Sequence, residues 1–211
     1  MGRKKLNIQN YEQPVSASEL SNSEILVTMA LLLRGSYSSK HSYISLSNAT
    51  KKTAAKAIIS NACSELGIPF ENMDCDPCKD RYYLWGQELD KLLAKQCALP
   101  KSHNTSSGYR PGFKIPTCWF QLSNDRRALI NNLVYDMARP FSVKIFGLAF
   151  HLPKSRVFAN GLQQLLQPVN PDIEIRYADH GQEKPLLYKM RHVPTPSTQT
   201  EQLLDDISDL L

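Results

Sequence analysis

Three cysteines and one histidine near the middle of the chain could together bind a zinc ion. Cys75 and Cys78 form a CxxC pair, and Cys97 and His103 could complete a tetrahedral set. A strong zinc pattern has a second close pair, which these residues lack. An Asp-Pro turn between two strands accounts for residues 75–78 without a metal. The sequence therefore favours a turn, and we predict no bound metal in this segment.

Basic and aromatic residues are interleaved in two segments whose spacing suits contact with a nucleic acid. Side chains on a strand alternate between its faces, so Arg81 and Tyr83 share one face of a hairpin. Cations on such a face can contact phosphates, and its polar groups can contact base edges. The alternative is two ordinary hairpins with solvated cations at their edges. The two segments are Lys79-Asp80-Arg81-Tyr82-Tyr83-Leu84-Trp85 and Arg176-Tyr177 with Tyr188-Lys189-Met190-Arg191.

The elements that must position these residues occur twice, in the same order. The first half reads as a helix (22–34), a strand region (36–47), a helix (50–66), a hairpin (70–85) and a further helix (87–99). The second half reads as a helix (125–138), a strand region (143–150), a helix (153–167) and a hairpin (173–190). The halves share the order and hydrophobic period of their elements rather than their residues. This pattern predicts a duplicated α+β fold.

The first helix has a recognisable start and end. Ser21 and Glu24 have the spacing of a capping box, and Gly35 is placed to end the helix. Beyond Gly35 the hydrophobic period changes from that of a helix to that of a strand. One strand face is therefore apolar, and the other is rich in hydroxyl groups. The hydroxyl-rich face carries Tyr43, Ser45 and Ser47, opposite Ile44 and Leu46.

The composition is that of a globular protein without a membrane span. The chain has 211 residues, of which 42% are hydrophobic and 21% are charged. This length suits one large domain or two small halves that share a core. No apolar segment follows the basic start, so we expect an intracellular protein of a bacterial cytoplasm or an organelle, with reduced cysteines.

The charge is divided between a basic body and an acidic tail. The net charge is +5, but residues 192–211 hold four acids and no Lys or Arg, which leaves 25 basic and 16 acidic residues in 1–191. A basic body favours a polyanionic partner. We divide the chain into a basic extension (1–17), a first half (18–99), a linker loop (100–121), a second half (122–191) and a flexible linker with an acidic tail (192–211). The tail could bind a protein partner, cover the basic face or simply fray.

Several segments together resemble the LAGLIDADG homing endonuclease family. The apolar helix at 25–33 runs into Arg34-Gly35, followed by SYISLSN at 42–48 and by SELGIP at 64–69. In the second half, LSNDRRALINNLVYDMA at 122–138 is similar to the second motif helix, and GLQQLLQ lies at 161–167. The resemblance covers residues 20–191. It implies a pseudo-twofold αββαββ pair, with two central helices packed together and two four-stranded antiparallel sheets that lie along the DNA major groove.

The resemblance also implies an acid at the end of each central helix to hold the metal ions that cleave DNA. Arg34 and Gly35 stand where the first acid is expected, whereas Asp136 aligns with the second. Met137 and Ala138 replace the glycine of the second motif. One of the two catalytic acids is therefore missing, and we expect no cofactor, with Mg²⁺ needed only if cleavage is retained. Arg34 could form an ion pair with Asp136, or it could face solvent as a cation at the helix end.

The sequence is compatible with two classes of function. The first is a monomeric protein that binds double-stranded DNA, or intron RNA, without cleaving both strands. The second is a protein-interaction or structural subunit of a larger assembly, with no role on nucleic acid. Salt-dependent binding to duplex DNA would separate the two classes. For the first class, the candidate contact residues are Lys40, His41, Tyr43, Ser45, Ser47, Arg81, Tyr83, Arg110, Arg176 and Lys189.

Overall fold

The computed structural model describes residues 15–36, 42–72, 80–96, 114–143, 147–153, 155–177 and 185–194. The zinc candidates Cys75, Cys78, Cys97 and His103 lie outside these ranges, as do the contact candidates Lys40, His41 and Arg110. Within the described ranges, no helix has both the length and the apolar character that crossing a membrane requires.

The described residues form five helices and eight strands. The helices are α1 (Asn22–Arg34), α2 (Lys52–Glu65), α3 (Gln87–Lys95), α4 (Asn124–Met137) and α5 (Arg156–Leu166). The strands of the first half are β1 (Gly35–Ser36), β2 (Ser42–Ser45), β3 (Phe70–Asn72) and β4 (Arg81–Leu84). Those of the second half are β5 (Arg139–Val143), β6 (Gly147–His151), β7 (Glu174–Tyr177) and β8 (Pro185–Tyr188).

The strands form two antiparallel four-stranded sheets with the same topology. The strand order is β1-β2-β4-β3 in the first sheet and β5-β6-β8-β7 in the second. In each half the first strand begins directly after the first helix and lies at the edge of its sheet. The duplicated αββαββ fold implied by the LAGLIDADG resemblance is confirmed, with α3 as an addition to the first half.

The central helices α1 and α4 pack directly against each other, and α2 packs on both of them. Helix α1 is buried along nearly its whole length, and its apolar side chains belong to a single hydrophobic cluster that includes residues of both halves. The predicted capping box is present: the Ser21 hydroxyl accepts from the Glu24 amide at 3.1 Å, and the Glu24 carboxylate accepts from the Ser21 amide at 2.7 Å. In α4 only the first of these bonds is present, because the Ser123 hydroxyl accepts from the amide of Arg126 at 3.5 Å.

Gly35 ends α1 as predicted, and its lack of a side chain has a steric reason. The Gly35 amide donates to the Leu31 carbonyl oxygen. A Cβ atom at this position would lie 2.6 Å from both the Cα atom and the carbonyl oxygen of Leu31. Because real Cβ contacts are much longer than this, only glycine fits where the chain passes from α1 into β1.

A buried polar network ties α1 to the residues that follow α3. The Trp119 indole donates to the Gln96 side-chain oxygen at 2.9 Å, and the Gln96 amide group donates to the Thr28 hydroxyl at 2.8 Å. All three residues are buried. Thr28 is thus a polar position within the otherwise apolar stretch 25–33 because it accepts a hydrogen bond inside the core.

Candidate nucleic-acid interface

The first sheet has an apolar inner face and a polar outer face, which we define as the face away from the hydrophobic core. Ile44 on β2 and Leu84 on β4 point into the core. Because side chains alternate along a strand, the residues next to them within these two strands point outward. Tyr43 lies opposite Tyr83 across the strand pair, with ring centroids 6.0 Å apart. The outer face therefore presents two tyrosines on neighbouring strands.

Arg81 completes this outer face beside Tyr43. It lies opposite Ser45 in the strand register, and its guanidinium group sits 4.5 Å from the centre of the Tyr43 ring. The structure thus brings together four of the candidate residues, Tyr43, Ser45, Arg81 and Tyr83. Ser47 was also assigned to this strand face, but β2 ends at Ser45 and Ser47 lies in the turn that leads to α2.

The outer face of the second sheet is basic at its edges and apolar at its centre. One cross-strand row joins Arg139, His151, Leu186 and Arg176. The central positions Ala149, Leu186 and Tyr188 are buried and form a small cluster apart from the main core. The two outer faces are therefore not equivalent, although their topologies match.

A glutamate accompanies the cations of the second sheet. Arg176 donates to both carboxylate oxygens of Glu174, at 2.7 and 3.0 Å, and its guanidinium group lies 5.2 Å from the centre of the Tyr188 ring. The hydrogen bond from Arg176 lowers the pKa of Glu174, so this carboxyl stays ionised. Lys189, which follows β8, lies 3.5 Å from the same carboxylate.

Sequence reasoning missed Arg139 and His151. The two residues face each other on neighbouring strands, β5 and β6, on the outer face of the second sheet. A row across strands depends on the register of pairing, which the order of residues along one strand does not reveal. The signal that could have found them is the Arg139-Pro140 pair directly after the central helix, where the edge strand begins.

The end of α4 holds Asp136, which the sequence resemblance aligned with the second acid of the LAGLIDADG motif. The Asp136 carboxylate is only 4% exposed, and its partner is His192, whose Nε2 atom lies 2.7 Å from Oδ1. Arg34, at the end of α1, donates instead to two main-chain carbonyl oxygens, those of Met137 at 3.0 Å and of Ser47. Asp136 is thus hydrogen-bonded to His192, whereas Arg34 bonds to the main chain, which differs from both alternatives considered for Arg34, an ion pair with Asp136 and a solvent-facing cation.

The main-chain oxygens at the end of α4 accept hydrogen bonds from the segment before α2. The Lys51 amide donates to the Asp136 carbonyl at 2.9 Å, and Thr50 donates to the Ala138 carbonyl through both its amide and its hydroxyl. No group of three or more metal-binding side chains occurs among the described residues. With a cation at the first helix end and a histidine on the second acid, these residues do not fit a pair of divalent metal ions.

Lys51 and His192 lie together beside Asp136. The Lys51 ammonium nitrogen is 3.3 Å from the His192 Nε2 atom and 5.8 Å from the centre of the Tyr135 ring. The Tyr135 and His192 rings meet edge to face, with centroids 4.7 Å apart. We call Arg34, Lys51, Tyr135, Asp136 and His192 the helix-end cluster. Sequence reasoning missed Lys51 and His192, because no local pattern connects residues so far apart in the chain.

His192 is held in place by the segment around it, although the sequence assigned residue 192 to a flexible linker. The Asn131 side chain donates to the Arg191 carbonyl oxygen at 2.8 Å. The Asn132 side chain makes two hydrogen bonds of 2.9 Å to the main chain of Val193, one to its amide and one to its carbonyl. Residues 191–193 therefore lie fixed along α4.

Comparisons with known proteins give a similarity of structure and none of sequence. No protein-family model matches the chain. No curated protein sequence matches it either. Among solved structures, the chain is similar to full-length DUF199/WhiA from Thermatoga maritima, with a TM-score of 0.46 and 12% identical residues. The match covers 86% of this chain and 55% of that protein, so the chain spans about half its length.

Proposed function

We propose that this protein binds double-stranded DNA through the outer faces of its two sheets and does not cleave both strands. The observation that carries the proposal is the outer face of the first sheet. There, two tyrosines, a serine and an arginine lie on neighbouring strands, away from the core. Arginine and hydroxyl-bearing side chains are among those that contact phosphates and base edges.

The second sheet supports the same role with a different distribution of charge. Arg139, His151 and Arg176 lie in one row, and Lys189 follows at the end of β8. The body of the chain also has an excess of basic residues, which favours a polyanion. Since both sheets belong to one chain, a monomer would suffice to present both outer faces to one duplex.

The helix-end cluster is the reason to expect binding without double-strand cleavage. Cleavage of both strands in the LAGLIDADG manner needs an accessible acid at the end of each central helix. Arg34 occupies the first position, and the Asp136 carboxylate at the second is buried against His192. A buried carboxylate already paired with another side chain is a poor ligand for a hydrated Mg²⁺ ion.

Affinity for DNA selected from a random duplex pool tests this function. We expect log Kd to depend steeply on log salt, and Arg81→Met and Arg176→Met each to reduce the slope by about one unit. Lys91→Met is the matched control, since Lys91 is an exposed cation on α3 that pairs with Glu88. Binding that is weak and independent of salt would overturn the proposal and favour a protein-interaction or structural role. Intron RNA as competitor would decide between DNA and RNA.

Incubation of the protein and the selected duplex with Mg²⁺ or Mn²⁺ tests the proposal that both strands are not cleaved. We expect no specific double-strand break from the natural chain. We also expect none from Arg34→Asp, because the Asp136 carboxylate stays bonded to His192. Efficient cutting by the natural chain would refute the inference drawn from the helix ends.

A further inference from the structure

We propose that Lys51, whose main-chain amide is bonded to the Asp136 carbonyl oxygen and whose ammonium group lies beside His192, binds one backbone phosphodiester of the DNA at the centre of the interface, without a metal ion. The inference rests on the proposed function, because it assigns a contact within the same interface. This contact differs from the sheet contacts in its location, in its chemistry and in the variants that test it.

The helix-end cluster lies where the edge strands of both sheets start. Strands β1 and β5 begin directly after α1 and α4 and are the edge strands of their sheets. Because Arg34 at the end of α1 contacts Met137 at the end of α4, the two edge strands start next to these adjoining helix ends. A duplex that contacts both outer faces must pass over this point. Lys51 and His192 are both exposed there, whereas Asp136 is buried.

The hydrogen-bond geometry leaves N–H groups of the Lys51 ammonium available to an added acceptor. The His192 Nε2 atom lies 2.7 Å from the Asp136 carboxylate and 3.3 Å from the Lys51 nitrogen. One ring nitrogen either donates or accepts. The shorter contact to a carboxylate requires Nε2 to donate to Asp136, so it cannot also accept from Lys51. Among the described residues, no other hydrogen-bond acceptor for this ammonium group is present.

The surroundings hold the ammonium group at the surface. The Lys51 amide is bonded to the Asp136 carbonyl oxygen, and the side chain passes beside the Tyr135 ring. His192 covers the Asp136 carboxylate. The carboxylate therefore holds His192 in place but is not exposed to an incoming anion, which it would repel. A phosphodiester oxygen is an anionic acceptor that suits an ammonium group, and it is the group that a duplex presents along its backbone.

Replacement of single phosphates by neutral methylphosphonates in the selected duplex tests the site. We expect one central methylphosphonate to weaken binding of the natural chain roughly 10- to 100-fold, in the range of one charge-assisted hydrogen bond. Lys51→Met should weaken binding to the unmodified duplex to the same degree, and it should be insensitive to that methylphosphonate. EDTA should change neither result, and His192→Gln should show a smaller loss of the same kind.

Lys52→Met is the matched control. Lys52 is the next residue, is also exposed, and pairs with Asp80 at 2.5 Å. We expect this variant to keep its sensitivity to the central methylphosphonate, and equal melting temperatures would show that all variants fold. The proposal is overturned if Lys51→Met binds as the natural chain does, or if it stays fully sensitive to the central methylphosphonate. In either case salt-dependent binding by the natural chain would leave the proposed function standing, whereas its absence would refute that function itself.

Discussion

The Arg34 guanidinium group donates to the Met137 carbonyl oxygen at 3.0 Å and so links the ends of the two central helices. A second nitrogen of the same group donates to the Ser47 carbonyl oxygen. We expect Arg34→Met to lower the free energy of unfolding by about 1–3 kcal/mol, because both carbonyls lose their donor. Urea unfolding measures this loss, with Lys91→Met as the control. Equal stability of the two variants would show that the contacts contribute nothing.

Gly35→Ala should destabilise the protein through a steric clash. The added Cβ atom would meet the backbone of Leu31 at 2.6 Å, and a backbone atom cannot turn aside as a side chain can. We expect a loss of about 2–4 kcal/mol in the free energy of unfolding. Gly67→Ala is the control, because Gly67 has a positive φ of 65° but no atom within 4 Å of the added carbon. The control should lose only about 1–2 kcal/mol.

Cys63 should resist alkylation in the folded protein. Burial raises the pKa of its thiol to about 12, so almost no thiolate exists at pH 8.5. We expect iodoacetamide to leave Cys63 unmodified under native conditions and to modify it after unfolding in guanidinium chloride. Peptide mass spectrometry identifies the modified residue. Rapid native modification at Cys63 would show that the site opens to solvent.

The raised pKa of the Cys63 thiol should also make the protein less stable at alkaline pH. In the unfolded chain a thiol ionises near pH 8.5, whereas in the folded protein the pKa of Cys63 is about 12. Between these values the unfolded state binds fewer protons, so stability falls as pH rises, by at most about 1.4 kcal/mol per pH unit. Cys63→Ala should show a shallower decline from pH 9 to pH 11. Parallel curves for the two proteins would contradict this expectation.

Two truncations separate the tail from the segment that packs on α4. Removal of residues 195–211 should leave the melting temperature unchanged and tighten DNA binding, because it removes four acids and no basic residue. Removal of residues 191–211 should lower the melting temperature, because Asn131 and Asn132 lose their main-chain partners. A marked loss of stability in the shorter truncation would show that the tail itself packs on the body.

The parts of the fold that follow from local pattern were predictable from sequence. Hydrophobic period distinguishes helix from strand, so the repeated element order and the outward faces of Arg81 and Tyr83 could be assigned without coordinates. The start and end of α1 were predictable because each depends on nearby residues: Ser21 bonds to Glu24 at the start, and the Gly35 amide bonds to the Leu31 carbonyl oxygen at the end.

The remaining features depend on contacts between distant positions. Arg34 reaches a carbonyl 103 residues away, and Lys51 meets His192 across 141 residues. No local spacing encodes such contacts, since they arise only when the central helices pack together. The apolar centre of the second outer face was missed for a related reason, because it is built from β6 and β8, which neighbour each other only in the folded sheet.

The contacts at the helix ends also bind the two halves into one unit. Thr50 and Lys51 come from the first half but complete the hydrogen bonding of α4 in the second, and the hydrophobic core is shared. Neither half can bury its central helix by itself. A chain cut within residues 97–113 should therefore give two fragments that are unfolded apart and become ordered when mixed. Such a pair would report the proximity of any two proteins to which its fragments were fused.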